Sequence, residues 1–198
     1  MKIIFLDVDG VLNWDHTKAR CDGFLGIDKI RVKRLARIVE ATGAVIVLTS
    51  TWGAWFEVGA YKQKDKSAKY LSNKLRAQGL KVYDTIDYMN FKHRRRANAI
   101  QSYLENQEHH IEGYVILDDE MFWGYDVPPL KNHLVYCLSD VFHYDELSGL
   151  TDNLVQHAIN ILNGEEEGIC VDEDAQALLK ARADKVVKYY DNKTLFDD

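Results

Sequence analysis

Four short stretches of the sequence hold side chains that could do chemistry together. Asp7 and Asp9 flank Val8 and precede Gly10; Thr49, Ser50 and Thr51 stand in a row; Asp118 and Asp119 are adjacent; and Lys92, Arg94, Arg95 and Arg96 form a basic run. Both acidic pairs and the hydroxyl row follow short apolar runs: KIIFL, AVIVL, and VIL preceded by Tyr114. Carboxylates brought together at this density repel one another unless a cation sits among them, and hard oxygen donors suit Mg²⁺. An EF-hand calcium loop does not fit. It requires glycine at its sixth position after an entering helix, whereas Gly10 is the fourth residue counted from Asp7 and follows an apolar run.

For these groups to meet, the elements before them must deliver them to one edge. The three apolar runs are too short for helices and rich in β-branched residues, which reads as buried strands. Between them, Asp28 to Thr42 places Ile30, Leu35, Ile38 and Val39 among Lys and Arg and stops at Gly43, the pattern of an amphipathic helix. Further helices are expected over 66–78, closed by Gly79, over the basic segment 93–106, and over 151–162 with Thr151 as N-cap. Short strands are expected at 81–83 and 135–138. Strands that are apolar throughout and alternate with helices predict a doubly wound α/β domain with a parallel sheet covered on both faces. In such a sheet, ligands bind outside the carboxyl ends of the strands, where strand order reverses. The three polar strand ends therefore converge there.

A length of 198 residues fits one domain of ordinary size. The expected domain covers residues 1–163; an exposed hinge at Glu165 to Gly168 then leads into an acidic C-terminal helical extension, 164–198, with helical periodicity from Ala175 to Tyr190. Of the net charge of −6, that extension holds ten acidic residues against five Lys or Arg, so the body is nearly neutral. A neutral body supplies no global field for nucleic acid, which leaves only a local basic groove for such a partner. Leu178, Leu179, Val186 and Val187 form an apolar stripe that would either complete the core or support a homodimer; otherwise the chain is a monomer. No apolar run approaches the roughly 20 residues of a membrane span, and Asp7 and Asp9 interrupt the N-terminal run too early for a secretory signal. Cys21, Cys137 and Cys170 are odd in number and far apart, as expected of free thiols in a reducing, cytoplasmic setting.

Taken in order, FLDVDGVLN, VIVLTSTW, the basic helix and YVILDDE resemble the four motifs of the haloacid dehalogenase-like (HAD) superfamily of phosphatases and phosphotransferases, over residues 1 to about 140. More narrowly, DGVLN, the Ser-Thr-Trp after the second strand and SGLT followed by AINILN are similar to the small, cap-poor HAD domains associated with RNA-repair proteins. The resemblance implies a Rossmann-like fold with little or no cap. Asp7 is then the nucleophile that forms an aspartyl-phosphate, and Asp9 the general acid/base whose backbone carbonyl also reaches Mg²⁺. Thr49 or Ser50 binds the phosphoryl group. Asp118 and Asp119 are metal ligands with Asp7. Arg96 stands in the motif register, four residues before Ile100, but Lys92, Arg94 and Arg95 crowd it and leave the phosphate contact open. Asn13 orients Asp9 or meets substrate at the entrance. Trp52 and Trp55 either pack at the rim or stack on a base, and Lys62, Lys64, Lys66 and Lys69 are either a solvated face or a phosphate-binding strip.

An acid two residues after the nucleophile fits phosphate monoester hydrolysis. The substrate class stays open between a nucleic-acid end and a small phosphorylated metabolite. Two other classes stand against the phosphatase: a catalytically idle phospho-binding module, and a metal-dependent nuclease without a covalent intermediate.

Overall fold

Six parallel strands form the sheet, in the order β5-β4-β1-β6-β7-β8. They are β1 (Lys2–Leu6), β4 (Val45–Leu48), β5 (Val82–Thr85), β6 (Gly113–Asp118), β7 (His133–Tyr136) and β8 (Gly168–Val171). A separate antiparallel pair, β2 (Arg20–Cys21) and β3 (Phe24–Leu25), makes a small hairpin after β1. The helices are α1 (Lys29–Thr42), α2 (Lys66–Arg76), α3 (Arg96–Glu105), α4 (Asp152–Asn163) and α5 (Glu173–Lys193). In this computed structural model residues 1–55, 66–86 and 95–193 are described, with side chains excepted at 54–55 and 184–193. Lys62, Lys64, Lys92, His93 and Arg94, and the side chains of Trp55, Val186 and Val187, lie outside the described residues.

β1 is central, and its alternation explains both faces of the core. Ile4 and Leu6 join the cluster containing Leu35, Ile38, Ile46, Leu71 and Leu154, under α1, α2 and α4. Ile3 and Phe5 join the opposite cluster with Val47, Ala97, Ile100 and Ile116, under α3. A strand buried on both faces must be apolar where it is buried, and Ile3 to Leu6 meet that condition after the half-buried Lys2. α1 is fixed at each end by its sequence. Asp28 accepts the Ile30 and Arg31 N–H groups at 2.7 and 3.3 Å, and Gly43 closes the helix at φ 66°. Thr151 caps α4 in the same way through the Leu154 N–H at 3.2 Å. The chain winds outward from β1 through β4 to β5, returns to β6 on the other side, and winds outward again, so strand order reverses at β1.

The doubly wound parallel α/β fold is therefore as the sequence predicts, with three differences. β7 lies two residues earlier than expected, at His133–Tyr136. α3 begins at Arg96, which places Arg95 at its N-cap. The third difference concerns the boundary at 163. Residues 168–171, expected as part of a hinge and helical extension, form β8, which pairs with β7 through Leu134↔Ile169 and Val135↔Cys170. Cys170 is buried in the main core, and Asp172 accepts from Thr151 Oγ1 at 2.5 Å, so the segment after Gly164 completes the sheet before α5 begins. The segment between β1 and α1 carries only the two-residue strands of the β2–β3 hairpin. Among the described residues no helix is long and apolar enough to cross a membrane.

Candidate active site

Register alone brings three of the expected residues together. Leu6 is paired with Leu48 on one side and Leu117 on the other, so the next residue of each strand, Asp7, Thr49 and Asp118, emerges at the same level. The ladder continues through them: Asp7 N–H donates to Leu117 O and Thr49 N–H to Leu6 O, both at 2.9 Å. A carboxylate pair flanked by a hydroxyl thus stands at the carboxyl edge, at the point where strand order reverses.

Arg96 ties the two acids. Its Nη1 donates to Asp7 Oδ2 and to Asp118 Oδ2, each at 2.6 Å, and all three residues are buried. Burial opposes the guanidinium charge, but Asp118 and Asp7 outweigh it and hold Arg96 firmly protonated. The Phe122 ring lies 4.3 Å beneath its guanidinium carbon. Tyr125, fully buried, donates its hydroxyl to the same Asp118 oxygen at 3.1 Å, and the Glu120 N–H donates to the other at 3.1 Å. The second oxygen of Asp7 accepts the Val8 N–H at 2.7 Å. Charge-assisted bonds of this length fix both carboxylates before any ligand arrives.

Among the described residues no cation pairs with Asp119. Burial first, then the charges of Asp7 and Asp118, push its carboxyl up to about 7. Burial likewise raises Asp118 to about 6 despite Arg96. Asp119 approaches because Gly10 has no side chain: a Cβ there would collide with the Asp119 carboxylate, and φ of 68° independently favours glycine. Asp7, Asp118 and Asp119 each offer a ligand oxygen, all within 4.8 Å of one another. Among the described residues one arginine stands against three carboxylates, a negative excess in a shielded place, and the donor set is all oxygen. That fits a hard divalent cation such as Mg²⁺.

Thr49 and Ser50 are separated by their partners. The Thr49 hydroxyl is fully buried with no hydrogen-bond partner, whereas Ser50 Oγ accepts the Trp52 N–H at 3.4 Å and so caps the short 3₁₀ turn at Thr51–Trp55. An unsatisfied buried hydroxyl costs about 1–3 kcal/mol, a cost that a phosphoryl oxygen would remove.

Asp9 lies outside the carboxylate cluster and is exposed. Asn13 Nδ2 donates to Asp9 Oδ1 at 2.8 Å while Asn13 Oδ1 accepts the Gly10 N–H at 2.8 Å, so one buried amide fixes both the turn and the acid. Trp52 Nε1–H donates to Asp9 Oδ2 at 2.9 Å. Arg95 is turned elsewhere, its guanidinium 3.7 Å over the exposed Trp123 ring. Sequence reasoning does not find Tyr125 or Phe122 at all, and finds Trp52 only as an aromatic near the site. The sole signal for the first two is the aromatic run Phe122-Trp123-Gly124-Tyr125 directly after Asp118-Asp119.

Strand-end acids, an arginine bridge and an all-oxygen donor cluster stand together at the switch point of a doubly wound sheet, the placement of a ligand site in an α/β enzyme. Residues 3–153 match the family described as the HAD domain in Swiss Army Knife RNA repair proteins, and the chain belongs to that family. Membership supports a phosphatase-like, hydrolase-type function. No curated protein and no solved structure matches the chain.

Proposed function

We propose that the protein is a Mg²⁺-dependent phosphate monoesterase acting through an aspartyl-phosphate on Asp7, with nucleic-acid ends as its preferred substrates. The observation that carries the reading is the Arg96 bridge between Asp7 and Asp118, beside the unpartnered Thr49 hydroxyl. In this reading a carboxylate oxygen of Asp7 attacks phosphorus, and the bond from phosphorus to the ester oxygen breaks. Asp9 gives its proton to that leaving oxygen, then takes a proton from the water that attacks the aspartyl-phosphate, releasing phosphate and restoring Asp7. Arg96 and Thr49 hold the phosphoryl oxygens, where fixed donors in a water-poor site stabilise developing charge. A divalent cation held by Asp7, Asp118, Asp119 and the Asp9 carbonyl would supply charge neutralisation and Lewis-acid polarisation.

The small insertion after Asp9 is consistent with a substrate larger than a metabolite, and Lys66 and Lys69 on α2 are available to a strand's phosphates. The test is hydrolysis of an aryl phosphate with and without Mg²⁺, followed by 5′- and 3′-phosphorylated oligonucleotides against phosphosugars across a salt series. Oligonucleotide affinity should fall with a log-log slope of about −0.7 per phosphate contacted on a single strand. Absence of Mg²⁺-dependent turnover on every phosphate ester would refute the reading; a phosphosugar preferred by far would remove its nucleic-acid part.

A further inference from the structure

A cleft of about 400 Å³ opens beside Asp9. Phe24 and Leu25 of the β2–β3 hairpin line it on one side, Thr51 and Trp52 of the 3₁₀ turn on another, and Ser67 of α2's first turn contributes as well. Because Asp9 is itself part of the lining, whatever fills the cleft stands next to the group that would protonate the leaving oxygen. The cleft is therefore placed for the leaving group rather than for the phosphoryl group.

Its chemistry selects among leaving groups. Among the described residues of the lining Asp9 is the single charged one, and both its oxygens already accept from Asn13 and Trp52. The other described walls are apolar or aromatic, with hydroxyls from Thr51 and Ser67. A sugar without a ring base would bury several hydroxyls against too few partners. A flat, uncharged heterocycle matches: it offers a π face to the rings and a polar edge to the Thr51 hydroxyl. Phe24 is 77% exposed, so its ring is available for stacking. Trp52 is held in place. Its Nε1–H is bound to Asp9, and its ring lies 6.4 Å from that of Tyr70, whose hydroxyl accepts the Ile27 N–H at 3.2 Å. A wall fixed before binding spares the ordering cost that a mobile side chain would add. The volume lies near the lower end of the roughly 300–1,000 Å³ of small-molecule sites, enough for one nucleoside.

We propose that this cleft receives the base of the nucleotide bearing the scissile phosphate, stacked between Phe24 and Trp52. The inference rests on the monoesterase reading above for the position of the phosphate, and it adds the substrate class: a nucleotide, free or at the end of a strand, rather than a phosphosugar.

The experiment measures kcat/KM for substrate pairs that differ only in the base: adenosine 5′-monophosphate against ribose 5-phosphate, and an oligonucleotide ending in a phosphorylated normal or abasic nucleotide. Stacking is worth about 1–3 kcal/mol per base, so the base should raise kcat/KM by about 5- to 150-fold. In Phe24→Ala that ratio should fall towards one, in whichever pair shows it; the pair with the larger ratio tells a free nucleotide from a strand end. Binding of the same ligands to the Asp7→Asn protein, by calorimetry, supplies a readout independent of turnover. Tighter binding of the base-bearing ligand, weakened by adding Phe24→Ala, with no hydrolysis of any ester by the wild type would keep the base site and remove the monoesterase. Hydrolysis of both members of each pair with equal efficiency would keep the monoesterase and overturn the base site. Equal binding of both members, or no binding at all, overturns it too.

Discussion

Asp7 and Asp9 are two residues apart in one turn, yet they are held by opposite means. Asp7 is buried against a buried arginine and a backbone N–H. Asp9 is exposed and held by two neutral donors, the Asn13 amide and the Trp52 indole. The first arrangement fixes a carboxylate against a cation and a backbone donor, which suits the nucleophile of the proposed reaction. The second leaves a carboxyl in reach of solvent and, among the described residues, bound only by neutral donors, which suits the acid/base of the proposed reaction. Identical side chains are thus given different surroundings, which the proposed reaction would use for different tasks.

The Asp7 side of that contrast is tested by Asp7→Asn, which keeps the shape but removes the nucleophile and a cation ligand. A fall of at least about 10³ in kcat on an aryl phosphate is expected, or about 4 kcal/mol of transition-state stabilisation. Turnover near wild type would rule out a covalent intermediate on Asp7.

Arg96→Ala should come next, with a loss of about 10² to 10³ in kcat. It also leaves two buried carboxylates without their shared cation, so the melting temperature of the metal-free protein should fall as well; breaking a buried pair costs about 3–5 kcal/mol. Arg95→Ala, which loses only a stack on an exposed indole, should change activity less than about threefold, within the ~1 kcal/mol of an exposed cation–π contact. If the two variants exchange rank, the phosphate contact belongs to Arg95 rather than to the residue one step along α3.

The two sides of the site also differ in how far they are legible in the sequence. Asp7, Thr49 and Asp118 each end a visible apolar run, and parallel register puts such positions side by side, so pattern alone locates them. Trp52 reaches Asp9 across 43 residues, and Tyr125 reaches Asp118 from the loop that follows it; neither contact has a period or spacing to announce it. The four residues of β8 are hidden for a related reason. Gly168-Ile169-Cys170-Val171 is brief, begins with glycine and sits among acids, so its composition reads as hinge; only pairing with β7 makes it a strand. The β2–β3 hairpin, with two residues per strand, is below any pattern threshold, although it supplies a wall of the cleft beside Asp9.

The carboxylate cluster should also respond to pH. Unfolded carboxyls titrate near about 3.9, whereas burial, with Asp7 and Asp118, raises Asp119 to about 7, and burial raises Asp118 to about 6. Between those limits the folded metal-free chain keeps protons that the unfolded chain has released, so its stability should fall as pH rises through the window. A bound cation takes the place of those protons. The rise in melting temperature on adding Mg²⁺ should therefore be larger at about pH 8 than at about pH 5, measured by thermal denaturation. Equal rises at both would mean that the cation does not displace protons from this cluster.

The smallest effects are expected where Asp9 is positioned rather than replaced, and their order is informative. Asn13→Ala removes two bonds, one to Asp9 and one to the Gly10 N–H that shapes the turn. At about 1 kcal/mol for each lost bond, and more for a donor left buried, kcat should fall by about 10- to 30-fold. Trp52→Phe keeps an aromatic wall and removes only the indole N–H, so about fivefold is expected. Substrates with a good leaving group need little help from an acid, so both losses should shrink on an activated aryl phosphate and widen on an alkyl phosphate. A residue that merely supported the fold would lower both rates alike. If either variant does so, its bond to Asp9 is a packing contact, and the contrast between the two acids then rests on burial alone.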